Sequence, residues 1–487
     1  MLIFEKAREL ALISSSAAVL DWDQETYLPP AAAKYRAEQL AWLSSRCHEL
    51  GTSEGWKKDL EAAEAGDTGN DATLTANLRE MRRNYDRSAK LSVELVARES
   101  LAQSLGKQAW AAAREQSDFS IFAPHLTTLL ELAREKADLW GYADEPYDAL
   151  LEDFERGTGT AAVAGLFETL RPAVSQIAAS AVARSASFSP RLPAGPYPLA
   201  AQQDFNAKVA EAIGFDFTAG RIDTTTHPFC TTLGPHDIRL TTRYMDSDFT
   251  SSLFGVLHEA GHGMYEQGLP STDFGLPSGS PVSLSVHESQ SRLWENHVGR
   301  SRGFWEKWYP VAQETFPQLA GFPLEDFLRY LWRAEFSPIR VEADEVTYDL
   351  HILLRFELER RMVSGSLAVA DVPAAWNESY RELFGTAPVD DRHGCLQDIH
   401  WAMGGLGYFP TYTLGNINSA QLYAAAQRDP VVAKATAQAD YLPLLAWLRK
   451  SVHAHGATLD PTALITQATG RAPATADYLA HLQSRYL

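Results

Sequence analysis

At 487 residues the chain is long enough for a large core, and its 45% hydrophobic and 22% charged content is that of an ordinary soluble globular protein. A formal net charge of −19 argues against nucleic acid as a partner. No apolar run is long and uncharged enough to span a membrane, so no membrane partner is expected. Cys47, Cys230 and Cys395 lie far apart and form neither a disulfide framework nor a CxxC metal site, which points to a reducing, cytoplasmic setting.

The first residues carry Glu5, Lys6, Arg8 and Glu9 where a signal peptide would need an apolar run, so they read as an amphipathic helix. Trp22, Asp23 and Gln24 follow, read as packing residues and as a groove lid. Helical periodicity then predicts helices over 34–50, 74–117, 122–140, 161–184, 201–214, 251–267, 283–301, 324–334, 343–364, 372–384 and 440–453. Loops are expected at Glu64–Asn70, Ser185–Pro198 and Gly268–Pro281, where Gly, Ser or Pro cluster. None has the length or bias of a domain linker. The expectation is a mostly α chain forming one unit over 1–487, with room for two helical lobes. One segment departs from this pattern. His236–Tyr244 (HDIRLTTRY) alternates and is rich in β-formers, so it reads as a strand. With Thr224–Leu233 before it, a small antiparallel ribbon is expected. Its edge would suit an extended peptide.

The next helix holds His258-Glu259-Ala260-Gly261-His262. Imidazoles four residues apart share a helix face and chelate one metal ion, and the glutamate after the first of them lies beside that metal. A hydrolytic zinc site needs three protein ligands and one open position. His258 and His262 supply two. The third is expected from the helix after the Gly268–Pro281 loop, which Ser283 would cap and whose Val286, Leu293, Trp294 and Val298 would pack inward. Glu288, Glu295 and His287 are its candidates. The two glutamates are seven apart and share a face, so periodicity does not separate them. Proximity to the loop favours Glu288, leaving Glu295 as an acceptor for a ligand histidine. Glu259 is the expected general base. Gly261 costs about 1 kcal/mol in a helix interior, which predicts a close approach of something to the helix there.

Six short motifs run in order through residues 227–401: His227-Pro228-Phe229, DIRLT (Asp237–Thr241), HEAGH, HESQ (His287–Gln290), IRVEAD (Ile339–Asp344) and GCLQDIHW (Gly394–Trp401). With LDWDQETYLPPAAAKYRAEQLAWLSSRCHEL near the start and PYDALLEDFERG further on, the chain resembles the Taq-type metallocarboxypeptidases nearly end to end. The resemblance implies a helical fold with a deep central groove, like that of neurolysin and angiotensin-converting enzyme, and a homodimer. It implies a zinc-type enzyme, with cobalt able to substitute, that removes single C-terminal residues from peptides with a free C-terminus. Specificity would be broad, with C-terminal proline resisted. It carries Glu288 over as the third ligand.

Such an enzyme must hold a free carboxylate, a task suited to the bidentate fork of arginine. The candidates are Arg239, Arg243, Arg340 and Arg355. Arg340, in IRVEAD, is favoured, against the alternative that it pairs with nearby Glu342 or Asp344. Arg239 and Asp237 should share one strand face and shape the site. His227 should be extended, preceding a proline, and line the substrate's leaving side. A glycine-rich stretch offers His400, Tyr408 and Tyr412. By analogy with the converting-enzyme relatives, His400 is expected to hold the substrate carbonyl and Tyr412 the oxyanion, with Tyr408 as the alternative. Two other readings compete: an oligopeptidase or dipeptidyl enzyme on the same scaffold, and a helical binding protein without catalysis. Intact ligands and base count against the latter.

Overall fold

Short polar caps decide where several helices begin. The computed structural model describes residues 1–188 and 191–487, so Ser189 and Pro190 of the expected 185–198 loop lie outside the described residues. The predicted helix over 74–117 is two, Ala72–Ala89 and Val93–Gln116. The break is at Ser92, whose hydroxyl accepts from Leu95 N at 3.1 Å, satisfying a backbone N–H that a helix start leaves unpaired. The helix predicted over 343–364 begins only at Tyr348. Upstream, Asp344 Oδ1 accepts from Val346 N and Thr347 N, which turns the chain just before it. The helices Leu2–Thr26, Ala33–Gly51, Ala123–Trp140 and Val372–Phe384 agree with the sequence pattern. Periodicity passed over several others, among them Arg302–Thr315 and Pro410–Ala426. The first contains an internal proline; the second opens on one and carries Gly415.

The chain folds into two compact units. The first comprises Met1–Ser88, Pro190–Leu331 and Asn418–Pro473. Part of its core joins the first helix to the next ones through Ile3, Ala7, Trp56, Leu60 and Leu78. A second part is aromatic, with Phe249 packed on Phe316 at 4.5 Å and on Phe327 at 6.1 Å between ring centres. The second unit comprises Ala89–Ser189, Trp332–Ile417 and Ala474–Leu487, with Leu95, Ala102, Leu129 and Leu132 in one of its apolar clusters.

The first unit holds the sheet, which has three strands rather than two: β1 (Gly220–Thr224), β2 (Cys230–Gly234) and β3 (Asp237–Thr242), in the order β1-β3-β2. The antiparallel pair expected from the sequence is β2 with β3, with an irregularity between Thr232 and Gly234. β1 pairs with β3 in parallel, Ile222 opposite Leu240. Its residues, GRIDT, are too few and too polar to betray a strand by alternation. Ile238 and Leu240 are buried, and Leu240 packs on Gly263 of the helix that carries HEAGH, where a Cβ would come within 2.8 Å. The sheet thus fixes one face of that helix.

Candidate metal centre and active site

Asp248 caps the HEAGH helix, Phe249–Glu266, by accepting from Thr250 N at 2.8 Å. The helix is buried on most of its surface. Next comes the helix Leu284–Arg292, capped by Ser283 as expected and continued by a π-helical turn over Leu293–Val298. Val286, Leu293, Trp294 and Val298 are fully buried. The two helices meet at Gly261, where a Cβ would lie 2.6 Å from Ser291 Cα and 2.7 Å from Gln290 O. Only a glycine allows backbone to approach that closely, which is the physical reason for the residue at that position.

Across this contact His258, His262 and Glu288 converge, with ligand atoms all within 4.8 Å of one another. His258 Nε2 and His262 Nε2 stand 3.8 and 3.5 Å from Glu288 Oε2. Ligands bound tetrahedrally to zinc at 2.0–2.1 Å are about 3.3 Å apart, so the donor set and its spacing fit such an ion. Arg292 Nε donates to Glu288 Oε1 at 2.7 Å, which leaves the other oxygen turned towards the imidazoles. Glu295 meets His258 Nδ1 at 2.9 Å and is itself held by Arg292 and Arg300. The two glutamates therefore share a face but occupy different layers, one towards the imidazole Nε2 atoms and one behind His258. His287, the remaining ligand candidate, lies 2.6 Å from His262 Nδ1, on the far side of that ring from Glu288.

The charges of the cluster follow from these contacts. Burial would raise the Glu288 carboxyl, but Arg292 and the two histidines hold it well below the usual range. Glu295, also buried, is brought down to about 2 by Arg292 and His258. Burial lowers His262 to about 4, so it is a neutral imidazole, the form that ligates. His258 is pushed up to about 9, the surrounding glutamates overcoming its burial. Glu259 is 6% exposed, and burial lifts it to about 7, a value suited to taking and returning a proton near neutrality.

The second unit gathers a different set. Arg340 is 5% exposed. Its Nε and Nη2 donate to Asp398 Oδ1 at 3.0 and 2.9 Å, and its Nη1 to the Tyr348 hydroxyl at 2.7 Å. Its acid is thus Asp398 of GCLQDIHW, not the nearby Glu342 or Asp344. Arg355 is fully buried and donates to the other Asp398 oxygen at 2.7 Å. Burial would raise Asp398, but the two guanidinium groups hold it far below the usual range. Tyr412 lies in the first turn of the helix Pro410–Ala426, its ring 5.1 Å from the Arg340 guanidinium and its hydroxyl 3.5 Å from His400 Nε2. Tyr408 sits 5.1 Å from the His400 ring. His400, Tyr408, Tyr412 and Arg340 are thus brought together. Sequence reasoning assigned no role to Asp398 or Tyr348; the position of Asp398 inside a quoted motif was the available signal.

In the first unit, Arg239 forms a two-pronged pair with Asp237 on β3, as their shared face predicts, and its guanidinium lies 4.4 Å over the Trp22 ring. His227 lies on the exposed connection between β1 and β2. Arg243 is exposed just beyond β3. The three cysteines are free thiols. No helix among the described residues is long and apolar enough to cross a membrane.

Comparison with known proteins agrees with this geometry. Residues 3–486 match the family described as Carboxypeptidase Taq (M32) metallopeptidase. Thermostable carboxypeptidase 1 of Thermus thermophilus is 42% identical, the alignment covering 99% of this chain and 97% of that protein. Carboxypeptidase 1 of Bacillus subtilis is 35% identical over 99% of this chain and 97% of its own length. Among solved structures, the M32 carboxypeptidase from Deinococcus radiodurans R1 superposes with a TM-score of 0.96 at 39% identity, covering 100% of this chain and 98% of that one. With matches of this extent, the chain belongs to the Carboxypeptidase Taq (M32) metallopeptidase family.

Proposed function

We propose that the protein releases single amino acids from the free C-termini of peptides, with broad specificity and resistance to C-terminal proline, as a zinc enzyme in which cobalt can substitute. The observation that carries this reading is the convergence of His258, His262 and Glu288 beside buried Glu259. A zinc ion held by those three side chains would polarise the scissile carbonyl and make a water molecule more acidic. Glu259 takes the proton of the attacking water and returns it to the leaving amine. Arg340 is the residue for the substrate carboxylate: three of its five N–H donors are used by Asp398 and Tyr348, and two remain. His400 binds the substrate carbonyl, and Tyr412, or Tyr408 in its place, donates to the oxyanion. Arg239 and His227 shape the substrate's surroundings. The working form is a homodimer in the cytoplasm.

The test is a time course on one peptide and its C-terminal amide, each with and without chelator, read by mass spectrometry. Stepwise loss of single residues from the free peptide alone, stopped by chelator, is the expected result. Internal cuts in both peptides would replace this reading with an oligopeptidase, and release of pairs with a dipeptidyl enzyme.

A further inference from the structure

The two candidate ligand imidazoles are braced in different ways. His258 Nδ1 meets the Glu295 carboxylate directly, at 2.9 Å. His262 Nδ1 meets another imidazole, His287 Nδ1, at 2.6 Å. His287 Nε2 in turn lies 2.8 Å from Glu266 Oε1, and the Thr232 hydroxyl of β2 donates to Glu266 Oε2 at 2.9 Å. His258, His262 and Glu266 are spaced four residues apart and form one stripe of the HEAGH helix. His287 directly precedes Glu288. The two helices thus bring the whole chain of contacts together along with the ligands.

Ligation through His262 Nε2 dictates where the protons of this chain must lie. Two ring nitrogens 2.6 Å apart need one donor and one acceptor. If His287 Nδ1 donated, a neutral His287 would turn a bare Nε2 lone pair on the Glu266 carboxylate, and His262 would carry its own proton on Nε2, facing Glu288. If His262 Nδ1 donates, both contacts of the relay are satisfied: His287 Nε2–H points at Glu266, and His262 Nε2 keeps its lone pair for a cation held between it and Glu288. Only this second arrangement makes His262 a ligand.

We infer that His287, Glu266 and Thr232 form a positioning relay that fixes the tautomer and ring orientation of His262 for metal binding. The inference rests on the metal-centre reading above. A carboxylate acting through an intervening imidazole holds the ligand ring as a direct carboxylate holds His258, and it makes the ligand nitrogen more basic. The relay acts through the His262 ring. A side chain that only fills space at these positions would be replaceable by one of equal shape.

The test uses the full-length protein and measures Zn(II) and Co(II) dissociation constants by competition with a chelator, together with the Co(II) d–d absorption. Glu266→Gln keeps the shape and an acceptor for His287 but removes the charge, and should weaken metal binding about tenfold. His287→Phe keeps a ring but removes the acceptor of His262 Nδ1–H. It should weaken binding about 10- to 100-fold and alter the Co(II) spectrum. Wild-type affinity and spectrum in both variants would overturn the relay while leaving the metal centre intact. Failure of the wild type to bind one equivalent of metal, or binding indifferent to Glu288→Ala, would overturn the metal-centre reading and the relay with it. Should His287→Phe not fold, Glu266→Gln decides alone.

Discussion

Glu259 is the residue on which turnover most depends in the proposed mechanism, and Glu259→Gln separates chemistry from metal binding. The amide has the same shape but no basic oxygen, so kcat should fall by about 10²–10⁴ with metal content, measured by elemental analysis, unchanged. Normal turnover would remove the general-base role. A paired comparison addresses the ligands. Glu288→Ala removes a donor that faces both imidazoles and should abolish stoichiometric metal binding. Glu295→Ala removes the acceptor behind His258 and should weaken metal affinity about 10- to 100-fold without abolishing it. If Glu295→Ala strips the metal and Glu288→Ala does not, the third ligand has been misassigned. The sequence placed both glutamates on one face and stopped there. What separates them is the ring nitrogen each meets: Glu288 Oε2 faces the Nε2 atoms of both histidines, whereas Glu295 Oε2 sits on Nδ1 of His258.

At the scale of elements, the site is an interface between two helices, and its tolerance is set by their closest approach. In Gly261→Ala the new Cβ would meet backbone atoms of Ser291 and Gln290 below 3.0 Å, and backbone does not yield as a flexible side-chain end would. The helices must separate, which should cost about 1–3 kcal/mol of stability. It should also weaken metal binding, since the histidines and Glu288 ride on opposite partners. Chemical denaturation and metal titration of the variant check both effects. The cost of a helical glycine pointed to a close approach here, though not to which element approached. Some element boundaries were legible from a cap, as at Ser283, though the Ser92 cap within the expected 74–117 helix was passed over. Others were lost where the signal is three-dimensional, as in β1, whose pairing with β3 no local alternation announces.

For the whole molecule, stability carries a pH signature from one buried acid. Glu359 lies in the second unit, fully buried, and accepts from Tyr147, Trp401 and Gly407 N. Burial outweighs these donors and pushes its carboxyl from 4.5 up to about 7. Between those values the folded protein holds a proton that the unfolded chain has released. The contribution of Glu359 is therefore fully present below pH 4.5 and is lost as pH rises to about 7. Glu359→Gln cannot ionise, so the difference in thermal midpoint between wild type and variant should shift in favour of the variant from pH 5 to pH 7.5. A difference constant across that range would show that Glu359 is ionised throughout.

The sequence by itself determined the helical class, the pairing of His258 with His262, the Glu259 carboxyl beside them and the family, because each is written in local periodicity or in short ordered motifs. Tertiary structure alone decided that Arg340 pairs with Asp398 rather than with its neighbours Glu342 and Asp344, that Glu288 rather than His287 faces the two imidazole Nε2 atoms, and that a third strand flanks β3. A helix repeats every 3.6 residues whatever surrounds it, so spacing along the chain already fixes which side chains share a face. Which partner a buried charge meets depends on how distant segments pack and where each carboxylate is anchored, and that is set only when the elements close on one another.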